Sequence, residues 1–306
     1  MIQIYLPIAE MSVDAVVIVG MGAVVGFTSG LFGVGGGFLL TPLLIFLGIP
    51  PAVAVGSGTN QIIASSVSGV IAHFRRGNVD VRMGGVLLAG GMIGSGLGVL
   101  LFNLLKTVGQ IDLTIRLSYV IFLASVGGLM LVESVVSLIR RRPAAGKPRG
   151  PDNFAWAARL PWPMRFPKSG LYVSAVLPLG MGVAVGVLVA IMGVGGGFLM
   201  VPAMIYLLGM PTQVVIGTSL FQIIFVTIAT TFMQATLNHN VDAVLTLLLI
   251  AGGIVGAQWG ARAGAKIGGR NLRILLALLV LAVCSGLIGE LVSTPEDPYS
   301  VVVVRS

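Results

Sequence analysis

Hydrophobic positions run along the chain in long blocks, separated by short glycine-, proline- or charge-rich breaks. The blocks fall at about 13–32, 36–49, 52–74, 82–105 and 117–139, then at 171–192, 196–209, 212–236, 243–261 and 272–292. Most approach or exceed the roughly 20 apolar residues that a helix needs to cross a bilayer. The second block of each set is shorter. A helix of about 14 residues reaches only about 21 Å, so these two predict a tilted or broken span completed by the neighbouring glycine turn, or a re-entrant segment.

The two sets of blocks carry the same punctuation. GVGGGFLLTP at 33–42 returns as GVGGGFLMVP at 193–202. Gly48-Ile49-Pro50 returns as Gly209-Met210-Pro211, and the run Gly56 to Ile63 as Gly217 to Ile224. Asn78-Val79-Asp80 matches Asn240-Val241-Asp242, and Gly90-Gly91 matches Gly252-Gly253. The offset drifts only from 160 to 162 residues, which is the mark of internal duplication. The expected fold is an all-α polytopic membrane protein of two homologous five-segment halves. Residues 1–139 form the first transmembrane repeat, 140–169 a basic, proline-rich cytoplasmic linker, 170–294 the second repeat and 295–306 a C-terminal tail. Trp156 and Trp162 in the linker suit the headgroup level.

Composition agrees. The chain is 56% hydrophobic and 9% charged, with a mean hydropathy of +1.04. A soluble domain carries about 25% charged residues, so lipid is the natural solvent. The 44 glycines suit closely packed membrane helices. A net charge of +8 does not imply nucleic acid, because the basic residues lie in the breaks between apolar blocks. The single cysteine, Cys284, excludes an internal disulfide and a cysteine metal cluster. Glu10 and Asp14 stand where a cleaved leader would be basic, so the first block is expected to be retained as a span.

Charge also sets an expected topology. Arg75, Arg76, Arg82 and the linker belong on the cytoplasmic side. In the second set the basic cluster has moved one break onward, to Arg262, Lys266, Arg270 and Arg273. Five crossings per half reconcile the two, with the second half inverted and both termini outside the cytoplasm. Lys106 and Arg116 run against this scheme.

Two constellations are candidates for chemistry. Glycine turns at a helix break expose N–H groups and a positive helix end to an anion. Gly35, Gly36 and Gly37 offer this in one half, and Gly195, Gly196 and Gly197 in the other; tight packing is the competing reading. The second constellation is neutral and polar: Ser57, Thr59, Asn60 and Gln61, mirrored by Thr218, Ser219 and Gln222. Buried polar groups must find partners, and neutral donors suit an anion that has to leave again; interhelical bonding is the competing reading. Asn60 faces Phe221 in the repeat, so the two sides differ. Ser65, Ser66, Ser68, Thr227, Thr230, Thr231, Gln234 and Gln258 are weaker candidates. Glu133 and Glu290 could relay protons, and His73 and His239 are isolated. Phe38-Leu39 after the glycines excludes a Walker loop. No metal, cofactor or catalytic triad is expected, so the chain is not expected to be an enzyme.

The residues GLFGVGGGFLLTPLL at 30–44, VAVGSGTNQ at 53–61, GVGGGFLMVPAMIYLLGMP at 193–211 and VVIGTSLFQ at 214–222 resemble the TauE/SafE family of sulfite exporter-like permeases. The likeness spans nearly the whole chain outside the linker. It implies a multi-pass protein of the bacterial inner membrane that exports a small sulfur-containing anion, such as sulfite or an organosulfonate, by secondary transport. The family's polar motif falls here on Thr59, Asn60, Gln61 and Gln222. An anion-selective channel and a non-transport membrane scaffold are the alternatives. Oligomeric state is left open, a homodimer included.

Overall fold

The computed structural model describes residues 3–32, 35–139, 161–264 and 269–292. A two-stranded hairpin, β1 (Gln3–Leu6) and β2 (Met11–Asp14), precedes α1 (Ala15–Phe32), α2 (Gly37–Phe46), α3 (Pro51–Arg75), α4 (Val81–Thr107) and α5 (Ile111–Ile139). A second hairpin, β3 (Pro163–Phe166) and β4 (Leu171–Ser174), precedes α6 (Val176–Met192), α7 (Gly197–Leu208), α8 (Thr212–Met233), α9 (Ala243–Gly264) and α10 (Gly269–Val292). Among the described residues, six helices contain a stretch long and apolar enough to cross a membrane: α1, α4, α5, α8, α9 and α10. The protein is therefore mostly helical and multi-pass. α3 has the length, 25 residues, but its Ser, Thr, Asn and Gln positions dilute its hydropathy.

Glycine decides how the helices pair. A side chain has no volume at glycine, so two backbones can touch. α1 lies on α9 along such a seam: a Cβ at Gly22 or Gly26 would overlap the Leu249 or Gly253 carbonyl, and one at Gly252, Gly256 or Gly260 would overlap that of Val19, Ala23 or Phe27. α4 lies on α6 in the same way. Gly90, Gly94 and Gly98 meet Leu179, Val183 and Val187, while Gly182 and Gly186 meet Leu87 and Gly91. Residue numbers rise together in both seams, so each pair runs parallel. α3 and α8 cross antiparallel, with Thr59 at Thr231 and Gly69 at Leu220. α5 and α10 are also antiparallel, with Gly127 at Val280 and Leu281 and an Arg116–Glu290 ion pair of 2.7 Å.

The short blocks become short helices that start deep. Gly36 sits beside Val25 and Ser29, partway along α1. From there α2 returns toward the end where α1 began, and Gly48 beyond it faces the Met11 methyl. Pro51 at the first turn of α3 fits a position that needs no backbone donor.

Three features were not anticipated. The first hairpin lies almost wholly ahead of the first expected block, where no element was assigned, and overlaps it only at Val13 and Asp14; the second has β3 inside the expected linker and β4 at the start of the block expected at 171–192. The hairpins correspond: Leu6 and Phe166 are buried, and the turn residues Glu10 and Gly170 both have positive φ. The sequences share little beyond Pro7/Pro167 and Val13/Val173, too thin a signal for strands. Last, α8 ends in a π-helical turn, Gln234–Asn238. Trp156, Lys266 and most of the linker lie outside the described residues.

The seam predicts a sharp contrast between two glycines of α4. Gly94→Ala must push α4 off Val183, at a cost of about 1–3 kcal/mol. Gly96→Ala has open space around its Cβ and should hold or gain stability. Thermal unfolding of the detergent-solubilised variants measures the difference.

Candidate functional site

The two glycine turns meet inside the protein. Gly35 (φ 91°) and Gly36 (φ 70°) adopt left-handed backbone, as do Gly195 (φ 73°) and Gly196 (φ 53°). Only glycine does so without strain. A Cβ at Gly37 would lie 2.7 Å from the Val194 carbonyl oxygen of the opposite turn. Just beyond, the Phe38 and Phe198 rings stack with centroids 4.4 Å apart. The turns also close on themselves: Gly37 N–H donates to Gly35 O at 2.9 Å, and Gly197 N–H to Gly195 O. Ile62 covers both, with methyls against Gly35, Gly37 and Gly195. The turns are adjacent, buried and roofed by an aliphatic side chain.

The polar residues divide by partner. Ser57 Oγ accepts the Asp242 N–H at 2.9 Å, and Thr218 Oγ1 accepts the Asp80 N–H at 3.0 Å. Each aspartate is a knot of three elements. Asp80 caps α4 through Met83 N–H (3.1 Å) and receives Ser169 N–H (3.0 Å) and Oγ–H (2.6 Å) from the second hairpin. Asp242 caps α9 through Val244 and Leu245 N–H (3.0 and 3.1 Å) and receives Ile8 N–H (3.0 Å) from the first. The two Asn-Val-Asp loops thus dock on the Gly-Ser and Gly-Thr steps of α3 and α8, each from the other half of the chain. Gly56 and Gly217 make room for the Asn240 and Asn78 carbonyls. Ser57 and Thr218 hold this joint.

Thr59 Oγ1 donates to Gly56 O (2.8 Å) or shares its proton with Thr231 Oγ1 (2.9 Å) across the α3–α8 crossing. Ser219 Oγ bonds back to Ile216 O. Gln61 Nε2 donates to Gly22 O at 2.9 Å, and the amide rests on Gly253. Gln222 rests likewise on Gly91. The second glycine of each Gly-Gly step is therefore a seat for a glutamine, while the first touches a neighbouring backbone. The structure does not bring the glutamines together: Gln61 lies against α1 and α9, Gln222 against α4. Asn60 is half-buried; its counterpart Phe221 fills the space left by Gly84.

Of the weaker candidates, Gln234 bonds Ala190 O (3.1 Å) and Asn238, and Gln258 is exposed. Glu290 pairs with Arg116. Met192 and Met200 are fully buried packing residues. Sequence reasoning passed over Ile62, Asp80 and Asp242. The repeated Asn-Val-Asp was the available signal for the aspartates.

A family model for the sulfite exporter TauE/SafE matches residues 18–287. The chain belongs to the TauE/SafE family. Its relatives include a probable membrane transporter of Xylella fastidiosa, 32% identical over 88% of this chain and 92% of the relative. Two from Bacillus subtilis are the probable membrane transporters YjnA, 29% identical over 87% of this chain and 97% of its own, and YunE, 26% identical over 90% and 97%. No solved structure shows a significant match. This TauE/SafE protein is accordingly a membrane transporter and not an enzyme.

The aspartate knots predict that Asp242→Ala, which strands the hairpin and cap N–H groups while keeping the backbone N–H that bonds Ser57, lowers stability by about 2–4 kcal/mol. Ser57→Ala should cost about 1–3 kcal/mol, since it orphans one buried N–H. Denaturation of the purified variants checks both the values and their order.

Proposed function

We propose that this TauE/SafE protein is a secondary exporter of small sulfur-containing anions, sulfite or organosulfonates, that works by alternating access. The carrying observation is the meeting of two glycine turns in the interior of a transporter of this family. The turns offer helix N-terminal ends where an anion is favoured, and the amides of Asn60, Gln61 and Gln222 lie on the helices that flank them. Ile62 must withdraw for an anion to reach Gly35–Gly37 and Gly195–Gly197.

The halves are inverted repeats of five passes each. The antiparallel crossing of α3 with α8, and of α5 with α10, supports this, because each pair joins equivalent helices. By chain direction Arg75, Arg76, Arg82, Arg165, Lys168 and Arg262 fall at one end of the bundle, which is the cytoplasmic end on the charge rule. Both termini then lie outside, the linker inside, and the protein sits in the bacterial inner membrane. Lys106 belongs to the outer end, where its Nζ is tied to Asn238 O (2.8 Å) and Asn240 Oδ1 (2.9 Å); it serves as a structural tie and not as a topology signal. An inside-negative potential drives anion efflux.

Proteoliposomes loaded with labelled sulfite test the reading. Efflux above that of protein-free vesicles, faster with an inside-negative potential and at least about tenfold slower for Ile62→Trp, which should block the turns, is expected. Absence of anion-specific flux from folded protein contradicts it.

A further inference from the structure

A buried amide has two ends to satisfy, a donor and an acceptor. Gln61 is 3% exposed and Gln222 1%. The Gly22 carbonyl fixes which way Gln61 faces, because the reverse orientation would set two oxygens together. Gln61 Oε1 then points elsewhere and meets no donor. The Gln222 amide is buried with no hydrogen bond to fix its orientation, so it can turn its oxygen or its N–H₂ to a ligand. A buried amide with an unsatisfied end recurs at equivalent positions of α3 and α8, which a local packing fault would not produce. Beside Gln61, Asn60 holds a buried Nδ2 with no acceptor.

The other polar groups of the motif are already engaged. Ser57, Thr59, Thr218 and Ser219 all bond within the protein. The one acceptor fixed in place for a ligand is Gln61 Oε1, with the Asn60 amide beside it and the freely oriented Gln222 amide on α8. A fully deprotonated oxyanion has only acceptors, and opposite a carbonyl oxygen it leaves both atoms unpaired. A buried group left so discriminates strongly between ligands.

Resting on the transport reading above, we propose that the cargo is a sulfur oxyanion carrying its own hydrogen-bond donor, an O–H or N–H, and that Gln61 and Gln222 accept from it. Hydrogensulfite and aminosulfonates belong to this class. The sulfite dianion and simple alkylsulfonates do not. Because Gln61 faces α1 and α9 while Gln222 faces α4, the two are separate stations on the path. Asn60 donates to the anionic oxygens at the first station, and Phe221 removes that contact at the second.

Exchange of labelled sulfite by the full chain in proteoliposomes tests this, with protein-free vesicles subtracted. External aminomethanesulfonate should drive exchange at least about tenfold better than methanesulfonate. Gln61→Met and Gln222→Met should each bring that ratio toward one. Raising pH through the second ionisation of sulfurous acid should reduce sulfite exchange in step with the hydrogensulfite left. If aminomethanesulfonate is inert but this pH dependence holds, the donor is the O–H. Equal exchange with the two sulfonates, exchange that rises with the sulfite dianion, or an unchanged ratio in both folded methionine variants overturns the proposal. The wild-type arms decide the matter if a variant does not fold. Vesicles that exchange no sulfur oxyanion at all overturn the transport reading itself.

Discussion

Backbone contact between helices from opposite halves of the chain is the constraint on which the structure depends. Lipid chains are as apolar as leucine, so burying leucine gives no reason for one membrane helix to choose another. Close approach does, and glycine allows it. α1 finds its glycine seam on α9 and α4 finds its seam on α6. Neither half has both sides of a seam. The same exchange governs the loops, since the Asn-Val-Asp of each half docks on the Gly-Ser or Gly-Thr step of the other.

Placement of the polar groups follows from that exchange. Two aspartates take up the ends of α4 and α9 together with the hairpins, and in doing so occupy Ser57 and Thr218. Two glutamines lie on glycines of α9 and α4, where a larger residue would displace them. The glycine turns are pressed together at the centre, with Phe38 stacked on Phe198 and Ile62 over the backbone. Residues that look alike in the sequence thus have different work. Some fasten the halves to one another, and others retain unpaired atoms deep in the bundle.

Much of the architecture was legible because membrane helices leave long apolar blocks and the duplication repeats their breaks. α1, α4 and α8–α10 fall close to the expected blocks, and the short second block is a short helix in each half. The turns at Gly35-Gly36 and Gly195-Gly196 were legible because positive φ restricts the residue type. The hairpins were not, since four-residue strands carry too few alternating positions to stand out. Nor could the sequence separate Ser57 from Gln61: both are neutral and polar, and only the docking of Asp242 shows that one is already bonded. The π-helical turn at Gln234–Asn238 has no pattern of its own that distinguishes it from the end of an α-helix.

Separate expression of the two halves, cut within the linker, tests the exchange most directly. Residues 1–150 and 151–306, each inserted alone in membranes, should be open to protease, because α1 and α4 lack α9 and α6. Produced together, they should co-purify and gain the resistance of the intact chain. A single half that is protease-resistant on its own and does not bind the other would contradict the account.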